Sequence, residues 1–432
     1  MSFRRALYSV FLYLILPIVI LRLFWRSRSN PAYRKRISER LGFVTNQSEL
    51  PVIWLHAVSV GESIAAKPLI ELLLEKYPTH RLLVTTTTPT GSDRVISMFA
   101  SRVSHVYFPY DLPDAVARFV RTMKPDLLIV METEIWPNLY AKCQQRSIPI
   151  IIANARLSDR STQSYSKIRG LVEETLLRVH TIAVRAEADA QRFKALGAKP
   201  EQIEVVGNIK FDVQLNQQQI KAGKERQQYW GANRPVWVAA STHKGEDEII
   251  LRIHQSLLKD LPELLLIIVP RHPERFDDVD QLCMSIFDNK NSYMRHSLKK
   301  SYDGNNVSLI LGDSMGELQS WYATADVVFI GGSLVNTGGH NPLEATALNV
   351  PVVSGKHMFN FDDISHQLAD EGLMTVCDTE SELTEEVRKW LDENLSNQQK
   401  VEFVQKSEQF MQQHRGVTAR LDRLISAAID MK

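Results

Sequence analysis

Two successive series of short apolar runs, each run followed by a helix-like pattern, restrict this chain to an α/β architecture. The first series is Val52–Leu55, Leu82–Thr86, Val103–Phe108, Leu127–Met131, Ile148–Ala153, Thr181–Val184 and Ile203–Val206. The second is Val236–Ala240, Leu264–Val269, Ser308–Leu311, Val327–Ile330, Val352–Ser354 and Leu373–Val376. Strands alternating with helices build parallel sheets covered on both faces. Each series is too short for a barrel, and a chain of 432 residues exceeds one ordinary core, so two sheet domains facing a cleft are expected. The predicted boundaries are 1–40, 41–214 and 215–432, with the polar stretch from Asn216 read as linker plus short helix. Composition, 44% hydrophobic and 23% charged, excludes a disordered chain. Cys143, Cys283 and Cys377 are scattered and odd in number, which argues against a disulfide framework or zinc site and fits a reducing compartment.

The chain opens differently. Behind Arg4 and Arg5, Ala6–Leu21 is an uncharged run of sixteen residues, extended to Trp25 if Arg22 snorkels. Residues 1–40 hold nine Lys or Arg against Glu39 alone, a net +8 within a total of +1, so the remainder carries −7. A basic segment on an acidic body points to an anionic membrane surface and not to nucleic acid. The sequence after Trp25, R-S-R-S-N-P-A-Y-R-K-R, has no small-residue cleavage site, so a retained anchor with the body on the cytoplasmic side is expected. Pro17 leaves open whether this helix spans the bilayer or lies in the interface.

In open α/β sheets ligands bind at the carboxyl ends of the strands, so chemistry is sought there. After the first run, W-L-H-A-V-S-V-G-E-S places Glu62 where a strand hands over to a helix, predicted over Ser63–Leu74. A carboxylate there either acts as a base or complements the helix N-terminus. T-T-T-T-P-T-G-S offers Thr88, Thr90 and Ser92 as a polar turn or a ligand site. M-E-T-E-I-W-P-N carries Glu132 and Glu134, which repel each other on one strand face unless a cation, a shared proton or a helix end intervenes. A-N-A-R-L-S-D-R presents Arg156 and Arg160, planar forks for an anion or plain surface charge. G-N-I-K-F-D supplies Lys210 near the domain junction.

The second series ends in groups suited to a nucleotide. These are Ser241 and Thr242, Arg271 and His272, the loop Ser314, Met315 and Gly316, the glycines of F-I-G-G-S, and Asn341 through Glu344 with Pro342 at a helix start. No G-x-x-x-x-G-K-[ST] occurs, which argues against a P-loop ATPase. Asp278-Val279-Asp280 reads as a solvated helix face and not as a metal triplet.

W-L-H-A-V-S-V-G-E-S, M-E-T-E-I-W-P-N, G-N-I-K-F-D, P-R-H-P-E-R, G-D-S-M-G-E-L and G-H-N-P-L-E, in this order behind a basic hydrophobic start, resemble the 3-deoxy-D-manno-oct-2-ulosonic acid (Kdo) transferases, up to about Asp363. The resemblance implies a GT-B glycosyltransferase with two Rossmann-like domains, the donor nucleotide on the second. It implies CMP-Kdo as donor, the lipid A precursor as acceptor, the bacterial inner membrane as location, and no cofactor or metal. It further implies Glu62 as general base, Glu132 and Lys210 as transition-state stabilisers, and Arg271, His272, Ser314, Met315, Gly316, Asn341, Pro342, Leu343 and Glu344 as CMP contacts. The alternatives are another two-domain enzyme using a UDP-sugar and a membrane-attached sensor of nucleotide or glycolipid without turnover.

Overall fold

Strand β1 (Val52–His56) is buried along its whole length and pairs in parallel with β2 (Arg81–Thr86) and β4 (Pro125–Met131). With β3 (Ser104–Tyr107), β5 (Ile150–Ala155), β6 (Thr181–Val184) and β7 (Ile203–Val205) it forms a sheet ordered β3-β2-β1-β4-β5-β6-β7. A second sheet is built from β8 (Val236–Thr242), β9 (Leu265–Pro270), β10 (Tyr293–Arg295), β11 (Leu309–Leu311), β12 (Val327–Ile330), β13 (Val352–Gly355) and β14 (Met374–Cys377), ordered β10-β11-β9-β8-β12-β13-β14. This computed structural model describes residues 2–46, 48–231, 234–287, 292–298, 307–392 and 397–431. Two parallel sheets covered by helices are the Rossmann-like pair expected of a GT-B chain. In each sheet the order reverses beside the first strand, at β1/β4 and at β8/β12, which marks the ligand position in doubly wound sheets.

The apolar runs become strands because residues of both faces are covered. Trp54 and Leu128 point into one layer with Phe119 and Leu139, while Ile53, Leu55 and Ile129 point into the other with Leu69 and Leu73. The covering helices show the matching 3.6-residue period. In Pro113–Met123 the buried positions are Ala115, Val116, Phe119, Val120 and Met123.

Several expectations are corrected. The helix predicted over Ser63–Leu74 is two helices, Val60–Ala65 and Lys67–Lys76, because Pro68 has no N–H to continue the ladder. The stretch from Asn216 is a 14-residue helix, Gln217–Trp230, capped by the Asn216 side chain and closed by Trp230 parallel to Trp321 at 6.4 Å. Strand β10 was not anticipated, since Tyr293-Met294-Arg295 is not an apolar run. Asp278 and Asp280 do lie on a helix, Phe276–Ile286, but Asp280 accepts from the Tyr293 hydroxyl and pairs with Arg295 at 3.1 Å, so this face is not simply solvated.

The chain divides into two compact units, Met1–Asp212 with His414–Lys432, and Val213–Gln413. The second domain was expected to run to residue 432, yet the last helix, Val417–Asp430, returns to the first unit. Val417, Leu421, Ile425 and Ala428 are fully buried in the same layer as Ile53, Leu55 and Leu127. Asp212 accepts from the backbone amides of Gly416 and Val417 at 2.7 and 3.3 Å, which fixes where this helix starts.

Among the basic residues near the start, Arg36 bonds Glu39 at 2.7 Å and the His105 carbonyl at 2.9 Å. Arg40 is 3% exposed and lies over the Tyr107 ring. These two therefore do not face a membrane surface, whereas Arg26, Arg28, Arg34 and Lys35 are exposed.

Candidate functional site

The first unit gathers its chemistry around the β1/β4 reversal. Ser59 caps the helix after β1, its hydroxyl oxygen accepting from the Glu62 amide at 3.2 Å. The Glu62 carboxylate folds back to accept from the Val58 amide at 2.8 Å and the Ser59 hydroxyl at 3.0 Å. It is thus a helix-end carboxylate in full, as one of the two sequence expectations had it. Yet burial, reinforced by the negative charge of Glu132, raises its pKa to about 7 against those hydrogen bonds and the pull of Arg156. A carboxyl group half ionised near neutrality is suited to general base work.

Glu132 follows β4 in the left-handed region at φ 56°, where its amide donates to the Ala153 carbonyl at 2.8 Å. The strand does not persist through Glu134, so the two carboxylates are not on one strand face. The cation that relieves their repulsion is Arg156, whose Nε lies 2.9 Å from Glu132. The charges that act on Glu134 are the acidic ones of Glu62 and Glu132. Burial and the charges of Glu62 and Glu132 raise its pKa to about 8.

Asn154, also left-handed at φ 56°, accepts from the Ile209 amide at 3.0 Å and ties the end of β5 to the turn Ile209–Phe211 that carries Lys210. Glu62, Glu132, Arg156 and Lys210 therefore all project from the carboxyl edge of one sheet. Thr88 caps helix Pro89–Phe99 by accepting from Gly91 at 3.1 Å, which gives the threonine-rich turn a structural task. Arg160 is the second residue of helix Asp159–Ser166.

The second unit repeats the arrangement around β8/β12. Gly331 follows β12, where a Cβ would meet the Ser241 carbonyl oxygen at 2.4 Å, so only glycine lets these strand ends approach. Glu246, fully buried, accepts from the amides of His243 (2.8 Å), Gly332 (2.7 Å), Ser333 (3.0 Å) and Leu334 (2.9 Å) and so clamps the two loops together. His243 and His340 meet through their Nε2 atoms at 2.8 Å, and the His272 ring stands edge-on to His243 at 5.4 Å. Burial and the positive charge of Arg271 push the His340 pKa down to about 4, and burial with His272, Arg275 and Arg271 lowers that of His243. Cations that discharge their neighbours create a positive potential that suits an anion.

Of the predicted residues here, Arg271 and His272 directly follow β9 and are half-buried. The Ser314 hydroxyl donates to Glu317 at 2.6 Å, Met315 is 57% exposed, and the Gly316 carbonyl accepts from Gln219 at 2.6 Å. Asn341 accepts from the Leu343 amide at 3.1 Å, and Pro342 is the cap of a single helical turn, Leu343–Thr346, which includes Glu344. Glu246, His243 and His340 were not singled out from the sequence, although His243 and Glu246 closely follow β8 in T-H-K-G-E and His340 directly precedes Asn341 in G-G-H-N. Among the described residues no group of three or more His, Cys, Asp or Glu is arranged to hold a metal ion.

Comparison with known proteins adds identity to this geometry. Residues 35–213 match the family model described as 3-Deoxy-D-manno-octulosonic-acid transferase, and residues 233–409 match Glycosyl transferases group 1. The chain is 42% identical over 397 residues to the 3-deoxy-D-manno-octulosonic acid transferase of Haemophilus influenzae, covering 91% of this chain and 92% of that one. It is 32% identical to the same-named protein of Bordetella pertussis, covering 85% and 87%. In fold it is similar to the UDP-GlcNAc 2-epimerase of Neisseria meningitidis, with TM-score 0.52, 14% identity, and coverage of 89% and 100%.

Proposed function

Because the chain belongs to the family of 3-deoxy-D-manno-octulosonic acid (Kdo) transferases of lipopolysaccharide biosynthesis, we propose that it moves Kdo from CMP-Kdo to the lipid A precursor at the cytoplasmic face of the inner membrane. It does so by direct displacement with inversion and without a metal. The observation that carries this reading is Glu62 at the carboxyl end of β1, hydrogen-bonded in place and with its pKa raised to about 7.

Glu62 takes the proton from an acceptor sugar hydroxyl as that oxygen bonds to the anomeric carbon of Kdo. The bond from that carbon to the phosphate oxygen breaks on the opposite face, and CMP leaves with the electron pair as a phosphate monoester. Kdo brings its own carboxylate, so two anions must be balanced. Arg271, His272 and the positive surroundings of His243 and His340 hold the phosphate, while Lys210 balances charge on the first unit's side. Glu132, held by Arg156 at 2.9 Å, stabilises positive charge developing on the sugar ring. Asn341 through Glu344 and the Ser314–Gly316 loop position the nucleoside.

Replacing Glu62 by Gln tests the reading. Transfer from CMP-Kdo should fall about 10²- to 10⁴-fold, the return expected from general base catalysis, while CMP affinity measured by calorimetry stays unchanged. Transfer near the normal rate removes Glu62 as the base. Tighter binding of UDP than of CMP by the unaltered chain favours the UDP-sugar alternative.

A further inference from the structure

Helix Phe3–Arg26 is amphipathic in the reverse sense of a soluble helix. Over its first turns Arg5 and Ser9 face the protein, while most of its large apolar side chains face out. Ser2, Arg5 and Ser9 recur at helical spacing on the inner side, Arg5 and Ser9 being only 8% and 4% exposed. The Ser2 hydroxyl donates to Glu174 at 2.5 Å, the amide of Asn138 donates to the Ser9 hydroxyl at 3.0 Å, and the Tyr13 hydroxyl donates to Asp114 at 2.5 Å. Tyr8 is hydrogen-bonded to Asp111, itself 2% exposed. On the outer side Phe3, Leu7, Val10, Leu14, Ile18 and Leu21 form one stripe, each between 55% and 83% exposed.

The helix is long and apolar enough by length and composition to cross a membrane, but crossing would detach its first three turns from the first unit. Asn138, 6% exposed, and Asp111 would lose partners in sites that water does not reach freely. Charge is heavier on the side of the body, but the start of the helix is basic as well. Arg4 and Arg5 precede the apolar run just as Arg22, Arg26 and Arg28 follow its core, and basic residues at both ends favour keeping both on the anionic, cytoplasmic side.

We propose that this helix lies flat in one leaflet of an anionic bilayer and does not span it. The first unit holds it by its polar face, its apolar stripe is sunk into the boundary between headgroups and acyl chains, and Arg4, Arg22, Arg26 and Arg28 lie at headgroup level. The inference rests on the membrane attachment proposed above and adds its topology. Ser2 and the catalytic body stand on the same side, so the first unit is pinned against the surface where a lipid acceptor resides.

The test uses the full chain in bacterial membranes. Arg4→Cys and, as a marker of the body, Glu204→Cys are exposed to a membrane-impermeant maleimide in right-side-out and inside-out vesicles; the natural cysteines are buried. Both positions should label only in inside-out vesicles. Labelling of Arg4→Cys from the side opposite to Glu204→Cys overturns the flat orientation while leaving membrane attachment intact. Failure of the protein to sediment with vesicles overturns attachment and orientation together. Should lipid shield Arg4→Cys from both sides, a Ser9→Cys, Asn138→Cys pair decides. A short crosslink formed in the membrane-bound protein supports the docked helix, and its absence overturns it.

Discussion

The Nε of Arg156 lies 2.9 Å from Glu132, the carboxylate whose negative charge adds to burial in raising the pKa of both Glu62 and Glu134. Burial, with the negative charge of Glu132, raises the pKa of Glu62 to about 7, and burial with the charges of Glu62 and Glu132 raises that of Glu134 to about 8. Sequence pattern left open whether the Glu132/Glu134 pair is relieved by a cation, a proton or a helix end. The structure sets a cation, Arg156, against Glu132, while burial and its acidic neighbours raise the pKa of Glu134.

Arg156 accordingly acts on Glu62, the proposed base, through its charge. Its charge lowers the Glu62 pKa, so Arg156→Ala should move the acidic limb of the pH profile of kcat/KM to higher pH. Activity at pH 7 should fall about two- to tenfold and recover at higher pH. Arg156→Lys should hold the limb near its normal place. A uniform loss at every pH would assign Arg156 a merely structural role.

The raised pKa of Glu62 also sets the sign of a stability effect. The folded state binds this proton more tightly than the unfolded chain, whose carboxyl titrates near the ordinary 4.5. Its contribution to stability is therefore fullest below that value, declines as pH rises toward about 7 and is gone above. Glu134 extends the decline to about pH 8. Glu62→Gln should be more stable than the natural chain at pH 8.5 by about 1 to 3 kcal/mol, with the gap closing at pH 4, as thermal unfolding across that range will show. A base that weakens its own fold is the usual exchange of stability for activity.

Glu246 is expected to matter to the second unit out of proportion to its size. Glu246→Ala leaves four buried or half-buried amides without an acceptor and should destabilise that unit by about 3 to 5 kcal/mol, read from the urea midpoint. CMP affinity should fall with it, since the loops bearing His243 and Ser333 lose their clamp.

The last helix offers a test of where the chain's end belongs. Leu421→Ala should destabilise the first unit by about 2 to 5 kcal/mol, although it lies some 200 residues beyond that unit's last strand. Met431→Ala, at a position 73% exposed, should change thermal unfolding by less than about 0.5 kcal/mol.

Most of the architecture was legible because periodicity and burial are local. Thirteen apolar runs coincide with thirteen of the strands in the described structure, and Glu62, Glu132, Arg271 and His272 each sit within a few residues of a strand's carboxyl end. Pattern could reach no further where the deciding partner is remote in sequence. Glu246 draws meaning from amides 86 to 88 residues away, His243 from a ring 97 away, and helix Val417–Asp430 from a sheet whose last strand ends at Val205. The protonation of Glu62 is of the same kind. The sequence placed a carboxylate at a helix start, where the dipole favours its charge. Burial beside Glu132, which exists only after β1 and β4 pair, reverses that preference and leaves the group poised near neutrality.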